Sequence, residues 1–430
     1  MYAHQPPSND APDLILGETD FRGTRRRFGL RREDRTRHLY LLGATGSGKS
    51  NLLQYLLAQD LRAGHPVVLL DPHGDLAEAA LAYTRPDRPV LIFDPGDEAF
   101  PIPWNPLRGE GSESLRVSRL VAVLHRLFAD SWGPRLEHLL RACLSTVVVS
   151  ERASLLLAYR FLIEPPLRER LATRARDPLL RAFWLSEFPK LPKGLQAEAV
   201  LPVTNKLGAF IANPTLRRIF GYEASRVNLA HHLDAGGVLV AALSRARLGE
   251  DVASLLGGLL LAELEAVMLS RRTPEPPVSL YLDEFQHFAG ERMGSILAEA
   301  RKFGLRVTMA HQFRAQLPET LAAAIRGNVG TSVYFRLGAE DAAELAPDLS
   351  PHLTDVDVTR LARHQVAVRL LADGLPLPAF TARTLRAPPA QDGPGRVQAA
   401  REASRRRFGV PKDRVDAHLA RTFPGPRHTT

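Results

Sequence analysis

The sequence predicts an α/β protein built on a mainly parallel β-sheet that is flanked by helices. Three observations indicate this fold class. A complete phosphate-binding loop joins an apolar strand to a helical segment, short apolar strands with polar carboxyl ends alternate with helices, and one long stretch shows only helical periodicity. A parallel sheet brings the carboxyl ends of its strands to one edge, so we expect the binding residues to lie there.

The phosphate-binding loop satisfies the GxxxxGK[ST] pattern at every position. Residues 37–42 before it read as a buried strand, and residues 51–57 after it have helical spacing. Successive backbone N–H groups and the helix N-terminus would surround a polyphosphate, Lys49 would reach the β- and γ-phosphates, and Ser50 would bind Mg²⁺. A glycine-rich turn without a ligand is the alternative. The residues predicted to bind the nucleotide are Gly43, Ala44, Thr45, Gly46, Ser47, Gly48, Lys49, Ser50 and Asn51.

Composition and charge narrow the function classes. The chain of 430 residues is long enough for two or three structural units, and its net charge of +9 favours a polyanionic partner such as nucleic acid or an anionic membrane surface. A generally arginine-rich proteome is the alternative explanation.

The single cysteine, Cys143, excludes a disulfide within the chain and suits a reducing cytoplasm. No signal peptide is evident, and the longest apolar run, 252–262, is too short to span a bilayer. We expect a cytoplasmic protein, with peripheral association at the inner face of the cell membrane left open.

The order of segments predicts the domain organisation. Residues 21–40 hold eight arginines against Glu33 and Asp34, which indicates either a basic edge facing DNA or a neighbouring subunit, or a solvated hairpin. Strands at 66–70 and 89–93 precede the helical stretch, and further strands follow it. Residues 364–384 resemble a hairpin at the edge of the sheet. The predicted units are a disordered N-terminus (1–13), the first part of a nucleotide-binding domain (14–108), an all-α insertion domain (109–227), the second part of the nucleotide-binding domain (228–386) and a basic C-terminal tail (387–430) with a short helix near 413–422.

Polar residues after two later strands would complete a hydrolytic site. Asp283 and Glu284 end an apolar strand; Asp283 would hold Mg²⁺ opposite Ser50, and Glu284 would polarise the water that attacks the γ-phosphate. Gln312 ends the next strand, where its amide could contact both the γ-phosphate and that water. A solvated acidic turn and a polar strand end are the respective alternatives.

An arginine supplied to a neighbouring subunit's site would assist phosphoryl transfer. Arg301 and Arg336 are the candidates, and a structural ion pair is the alternative for each.

The motifs that mark GTPases and transporter ATPases are incomplete or missing in this sequence. Residues 71–74 fit DxxG, but 204–208 depart from NKxD because Gly208 stands where the base-reading aspartate belongs. This argues against guanine specificity and favours ATP. There is no LSGGQ-like signature of a transporter ATPase. The histidines have no metal-ligand spacing with carboxylates, so Mg²⁺ is the only metal predicted.

Seven segments, in order, carry a family resemblance: GATGSGKSNLL, LLDPHGDL, WNPL, SWGPRLEHLLR, YLDEFQHF, EARKFGL and MAHQF. Over residues 18–386 and the basic tail, the chain resembles the HerA/FtsK superfamily of ring translocases, and within it the soluble part of TraG/TraD-type conjugative coupling proteins. The resemblance implies a RecA-like motor domain with an all-α insertion, hexamerisation, ATP hydrolysis at subunit interfaces and DNA in a central channel. It gives Lys49, Ser50, Asp283, Glu284 and Gln312 the roles argued above, and places Arg301 in a motif near the neighbour's nucleotide. Coupling proteins usually begin with transmembrane helices, which this sequence does not show.

The combined interpretation is a homohexameric, ATP-driven DNA translocase for conjugation or type IV secretion-like transfer, with a relaxase or secretion-channel proteins as further partners. One alternative is a HerA-like translocase in repair or packaging. Another is a nucleotide-switched adaptor that recruits DNA or a relaxase without hydrolysis, which the intact Glu284 argues against. A P-loop ATPase with a protein substrate is a third.

Overall fold

A computed structural model describes residues 12–21, 24–288, 290, 292–390 and 393–422. The strands are β1 (Leu14–Phe21), β2 (Thr24–Leu30), β3 (Leu39–Leu42), β4 (Val67–Asp71), β5 (Val90–Phe93), β6 (Val238–Ala242), β7 (Val278–Leu282), β8 (Leu305–His311), β9 (Thr331–Tyr334), β10 (Gln365–Arg369), β11 (Leu371–Ala372), β12 (Leu375–Pro376) and β13 (Phe380–Thr384).

Helices separate many of these strands and follow the last one. The α-helices are α1 (Lys49–Ala63), α2 (Asp75–Leu81), α3 (Glu113–Leu127), α4 (Pro134–Val147), α5 (Leu155–Ile163), α6 (Pro165–Thr173), α7 (Pro178–Ala182), α8 (Lys193–Ala212), α9 (Pro214–Phe220), α10 (Leu229–Asp234), α11 (Arg245–Leu248), α12 (Glu250–Ser270), α13 (Arg292–Glu299), α14 (Glu319–Asn328), α15 (Ala339–Leu349), α16 (Asp355–Thr359), α17 (Gly393–Phe408) and α18 (Lys412–Thr422).

The predicted fold class is confirmed: a large, mainly parallel sheet lies between layers of helices. Its strand order is β2-β1-β13-β10-β9-β3-β8-β7-β4-β6-β5, and the seven strands from β9 to β5 are parallel to one another. Strands β3, β4, β7 and β8 are buried along their whole length, as expected for parallel strands with both faces covered. The phosphate loop follows β3, between β9 and β8, so it lies near the middle of the carboxyl edge.

The helices α3 to α10 lie between β5 and β6 in the chain, where the sequence predicts the all-α insertion. Their apolar side chains do not form a separate core. Leu144 and Trp184 belong to the same cluster of buried residues as Leu70 and Leu280 of the sheet. The helical region is therefore packed on one face of the sheet.

Helix α12 is more apolar than the sequence analysis recognised. By length and composition alone it could cross a membrane, and 67% of its most apolar 18-residue window is buried inside the fold. The uncharged apolar run 252–262 ends before Glu263, whereas the helix continues to Ser270. Glu263 faces Arg119 of α3 with an N···O distance of 3.7 Å. The apolar composition of α12 is accounted for by its packing in the core.

The antiparallel part of the sheet corrects one expectation. Strands β10 and β13 pair with each other, but they are not at the edge, because β1 pairs with β13 through Gly17 and Thr384, and β2 pairs with β1. A pairing between residues so far apart in the chain leaves no local signal in the sequence. The arginine-rich segment contributes the edge strand β2, on which residues 25–27 are exposed, as either a basic edge or a solvated hairpin would have them.

The region predicted as a basic tail contains α17 and α18, both packed on the body of the protein. The backbone N–H of Ile92 in β5 donates to Ser404 Oγ of α17 at 2.9 Å. Asp416 of α18 pairs with Arg218 of α9 at 2.8 Å. The two helices thus cover the outer parallel strand and continue onto the helical region. Residues 1–11 of the predicted disordered N-terminus and residues 423–430 of the tail lie outside the described residues.

Candidate nucleotide-binding and hydrolysis site

The loop from Gly43 to Ser50 needs glycine at three positions, two because of the backbone conformation and one because a neighbouring residue is close. Gly46 and Gly48 have φ values of 75° and 121°, in the region that favours glycine. A Cβ added to Gly43 would lie 2.5 Å from Cβ of Phe335, which follows β9. The neighbouring strand therefore fixes the start of the loop, and the positive φ values shape its tip.

Lys49 begins α1 and its side chain folds back over the loop. Its Nζ donates to the carbonyl of Gly43 at 2.5 Å and to that of Ala44 at 3.3 Å. Burial lowers the pKa of Lys49, and the nearby Glu284 and Asp283 oppose that shift. A polyphosphate would supply the negative charge and the acceptor oxygens that suit such a buried ammonium group.

Two further predicted residues of the loop differ in their contacts. Ser50 is exposed in the first turn of α1, where its hydroxyl is free to approach a ligand. The Asn51 amide instead donates to the carbonyl of Leu385, after β13, at 2.9 Å. Asn51 therefore ties the start of α1 to the antiparallel part of the sheet.

The acidic side of the site is formed by the adjacent strands β7 and β4. Asp283 follows β7, and burial together with Asp71 and Glu284 raises the pKa of Asp283 to about 6. Asp71 ends β4 and is fully buried. Its carboxylate accepts the backbone N–H groups of His73 at 2.9 Å and Ala77 at 2.8 Å. In the sequence, Asp71 stands out only as the first residue of the DxxG pattern at 71–74, and nothing there assigns it to the site. Its effect on Asp283 depends on the pairing of β4 with β7.

Hydroxyl and carboxylate oxygens are suitable Mg²⁺ ligands, and Ser50 and Asp283 provide one of each. The pKa of Asp283 is raised because burial and the neighbouring carboxylates outweigh the positive charge of Lys49, and a bound cation would add to that positive charge. Among the described residues, no group of three or more His, Cys, Asp or Glu side chains could hold a metal ion alone. Nucleotide oxygens would complete the coordination.

Glu284 and Gln312 are in direct contact although they follow different strands. Gln312 Nε2 donates to Glu284 Oε1 at 2.9 Å, and Gln286 Nε2 donates to the other oxygen, Oε2, at 2.6 Å. Glu284 has a φ of 45° and is only 6% exposed. Two side-chain amides therefore orient the carboxylate of Glu284. The backbone of Glu284 has a conformation that residues other than glycine rarely adopt.

His311, the last residue of β8, directly precedes Gln312 and is fully buried. Its Nε2 contacts the hydroxyl of Tyr40 in β3. Burial, together with the charges of Lys49 and Arg314, lowers the pKa of His311 to about 3. The imidazole is therefore neutral at pH 7, and it serves the site as a buried polar neighbour.

The two candidate arginines lie at opposite ends of the parallel strands, Arg336 at the carboxyl ends and Arg301 at the amino ends. The carbonyl of Arg336 accepts the N–H of Ala44 at 2.9 Å, so Arg336 lies beside the phosphate loop of its own chain, with an exposed side chain. Arg301 is exposed before the start of β8, at the amino edge. The seven residues of β8 span about 23 Å, so Arg301 is remote from its own loop.

One residue beside the loop was missed by the sequence analysis. The backbone N–H of His364 donates to the carbonyl of Ser47 at 2.9 Å, and its Nδ1 lies 2.7 Å from where a Cβ on Gly48 would be. His364 also has a positive φ of 68°. No sequence signal indicates this contact, because it joins segments more than 300 residues apart.

Comparison with known proteins gives two family matches. Residues 23–120 match the family described as Helicase HerA, central domain, and residues 277–366 match the family described as the TraM recognition site of TraD and TraG. No curated protein sequence matches the chain.

Solved structures share the fold over most of the chain. The bacterial conjugative coupling protein TrwBΔN70 is 16% identical, with 89% of this chain and 91% of that chain covered and a TM-score of 0.60. TrwB in complex with ADP and Mg²⁺ is 17% identical, with 90% and 98% covered and a TM-score of 0.62. VirB4 of Thermoanaerobacter pseudethanolicus is 15% identical, with 88% and 98% covered and a TM-score of 0.60.

The fold and the phosphate loop define a P-loop ATPase with a RecA-like sheet. The two family matches, at residues 23–120 and 277–366, confirm the more particular resemblance. It is to the HerA/FtsK superfamily and, within it, to ATPases of the TraG/TraD type.

Proposed function

We propose that this chain is an ATP-driven motor that moves DNA in conjugation-like or type IV secretion-like transfer. The observation that carries the proposal is the contact between Glu284 and Gln312 beside the buried Lys49 and Asp283, all at the carboxyl edge of one sheet. Such a set can bind a polyphosphate, hold a metal and activate water. The similarity to TrwB, described as a conjugative and plasmid coupling protein, supports the transfer role.

Each group has a distinct part in the proposed hydrolysis. Lys49 and the backbone N–H groups from Gly43 to Ser50 bind the β- and γ-phosphates of ATP. Ser50 and Asp283 would hold Mg²⁺, which when bound would neutralise charge that develops on the phosphate oxygens. Glu284 accepts a proton from the attacking water. Gln312, hydrogen-bonded to Glu284, orients that carboxylate and responds to the presence of the γ-phosphate.

A ring of identical subunits would explain the position of Arg301. Because this side chain is at the edge opposite its own phosphate loop, it could assist hydrolysis only in a neighbour's site. Arg336 is beside its own loop and is exposed, so it is the candidate for a contact within the same subunit or across the interface. We accordingly propose a homohexamer with its nucleotides at the subunit interfaces.

The partners and the location follow from charge and similarity. The net charge of +9 and the exposed arginines at 25–27 favour DNA as the substrate. The match to a TraM recognition site supports a relaxosome or secretion-channel partner. We propose a cytoplasmic location, with peripheral association at the membrane that holds such a channel. The match to the HerA central domain favours a second candidate, a HerA-like translocase in DNA repair or packaging.

The proposal is tested by measuring ATP hydrolysis with and without DNA for the wild type, Glu284→Gln and the matched control Glu319→Gln, which changes an exposed glutamate in α14. We expect DNA to stimulate the wild type and the control equally. Glu284→Gln should lower the turnover number at least about 100-fold while ATP binding persists. Affinity for DNA should fall as the salt concentration rises. Absence of DNA-stimulated turnover in the wild type would refute the motor and favour the nucleotide-switched adaptor.

Assembly is tested by native mass measurement with a non-hydrolysable ATP analogue and DNA present. We expect a hexamer, and a stable monomer under these conditions would refute the ring.

A further inference from the structure

The segment after Glu284 connects the hydrolysis site to the helical region. Phe285 and Phe288 in this segment are fully buried, and the Phe288 ring fills the space beside Gly257 of α12, where an added Cβ would lie 2.1 Å from it. The residues between these two anchors have their backbone carbonyls directed toward α3. Two buried aromatic rings thus anchor the segment in the core, and α3 lies over its carbonyl groups.

Arg126, in the last turn of α3, binds that segment. Its guanidinium donates to three successive backbone carbonyls: Phe288 and His287 (3.0 Å) directly, and Gln286 more weakly at 3.4 Å. An arginine fork can bind several acceptors in a fixed geometry, which a lysine cannot reproduce. One side chain of the helical region therefore fixes the path of the backbone just beyond Glu284.

One side-chain contact carries this constraint to Glu284, and a second holds the same segment against the start of α11. Gln286, whose carbonyl Arg126 binds, donates through Nε2 to Glu284 Oε2 at 2.6 Å. His287, the next residue, has its Nε2 2.8 Å from Arg245 Nη1, after β6. Glu284 itself has a φ of 45°, a conformation that persists only when the surroundings determine it. Moving Arg126 would displace Gln286 and, through it, the carboxylate of Glu284.

We propose that Arg126 is a positioning residue through which the helical region from α3 to α10 controls the orientation of Glu284. DNA bound to that region would alter hydrolysis by shifting the end of α3, without contacting the nucleotide. This inference rests on the proposed hydrolytic role of Glu284. It adds the route by which an occupant of the helical region regulates that role.

The test compares Arg126→Met with Arg126→Lys and with the matched control Arg116→Met. Arg116 is at the other end of the same helix, and it also donates to backbone carbonyls, those of Gly111 at 2.6 Å and Gly109 at 3.4 Å. The full chain is used, and the turnover number and KM for ATP are measured at saturating double-stranded DNA. Binding of a fluorescent ATP analogue and the melting temperature are measured for each variant.

We expect Arg126→Met to lower the turnover number at saturating DNA about tenfold or more, because small displacements of catalytic groups have effects of this size. KM for ATP and the affinity for the analogue should stay within about twofold of the wild-type values. The melting temperature should stay within about 2 °C of that of the wild type. Arg126→Lys should recover only part of the loss, and Arg116→Met should resemble the wild type.

Three results separate this inference from the proposed function. If the wild type shows no DNA-stimulated hydrolysis, the proposed function fails and the inference fails with it. If the wild type is stimulated and Arg126→Met retains its turnover number within about twofold, only the inference is overturned. If Arg116→Met loses as much as Arg126→Met, or if KM and melting temperature change together, the effect is one of general destabilisation and the inference is again overturned.

Discussion

Replacing the proposed magnesium ligand Asp283 with asparagine should stabilise the nucleotide-free protein at pH 8. Burial and the neighbouring Asp71 and Glu284 raise the pKa of Asp283 from 3.8 to about 6. Each pKa unit corresponds to about 1.4 kcal/mol, so keeping this carboxylate ionised in the folded state costs about 3 kcal/mol. An asparagine has no charge to bury, and its side-chain oxygen can still accept the Glu284 N–H that Asp283 Oδ1 accepts at 3.1 Å.

The pH dependence gives this prediction a defined sign. Because the folded-state pKa is raised, the folded protein binds the proton more tightly than the unfolded chain, and stability falls as the pH rises from about 4 to 6. The full penalty is present above pH 7 and disappears below pH 4. Asp283→Asn removes the penalty, so its advantage in free energy of unfolding should be about 2 to 3 kcal/mol at pH 8 and less than about 1 kcal/mol near pH 4.5.

Urea unfolding in EDTA, without nucleotide, measures this difference for the wild type, Asp283→Asn and the surface control Glu319→Gln. Adding Mg²⁺ and an ATP analogue at 100 times the dissociation constant should then stabilise the wild type by about 2.7 kcal/mol and the variant by less. An Asp283→Asn variant that is no more stable than the wild type at pH 8, or that is stabilised equally at both pH values, would refute the reasoning.

Two other substitutions test the framework around the site. Arg35→Met should lower the free energy of unfolding, measured in urea, by about 3–5 kcal/mol. Arg35 binds the buried carboxylate of Asp60 at 2.6 and 2.8 Å, and the substitution leaves that carboxylate without its cation. A loss below about 1 kcal/mol would contradict this. Gly43→Ala should weaken ATP-analogue binding at least about tenfold by calorimetry, because its Cβ would meet Phe335 at 2.5 Å and displace the loop. Gly338→Ala is the matched control, since a Cβ there meets nothing within 4 Å, and equal affinities for the two variants would show that the contact with Phe335 does not shape the loop.

The features that the sequence predicts well are local ones. The phosphate loop needs only eight consecutive residues, and the buried strands β3, β4, β7 and β8 are continuous apolar runs with polar ends. The positions of Asp283 and Gln312 after two such strands also implied that their side chains share an edge. The structure adds that Gln312 bonds directly to Glu284, a contact that depends on the left-handed backbone at Glu284.

The features that were missed join distant parts of the chain. Residues 364–384 look like an edge hairpin in isolation, and only the pairing of β13 with β1 moves them to the interior of the sheet. His364 reaches the loop through a bond to Ser47, and Arg126 reaches three carbonyls about 160 residues later. Each contact depends on strand order and on the angles between helices, which apolar periodicity does not determine.

The position of β3 in the sheet also affects how the protein is made. Both neighbours of this strand, β8 and β9, come more than 250 residues later in the chain; Leu39 pairs with Thr308 on one side and Thr331 on the other. At about 5–20 residues per second, a ribosome needs roughly 15–60 s after β3 to synthesise β9. Until β8 is made, shortly before β9, the apolar segment Leu39–Leu42 has neither strand partner. A newly made chain therefore lacks both neighbours of the strand before its phosphate loop for much of its synthesis. Shielding of that segment by a chaperone or by early collapse would therefore help to determine how much active ATPase a cell obtains.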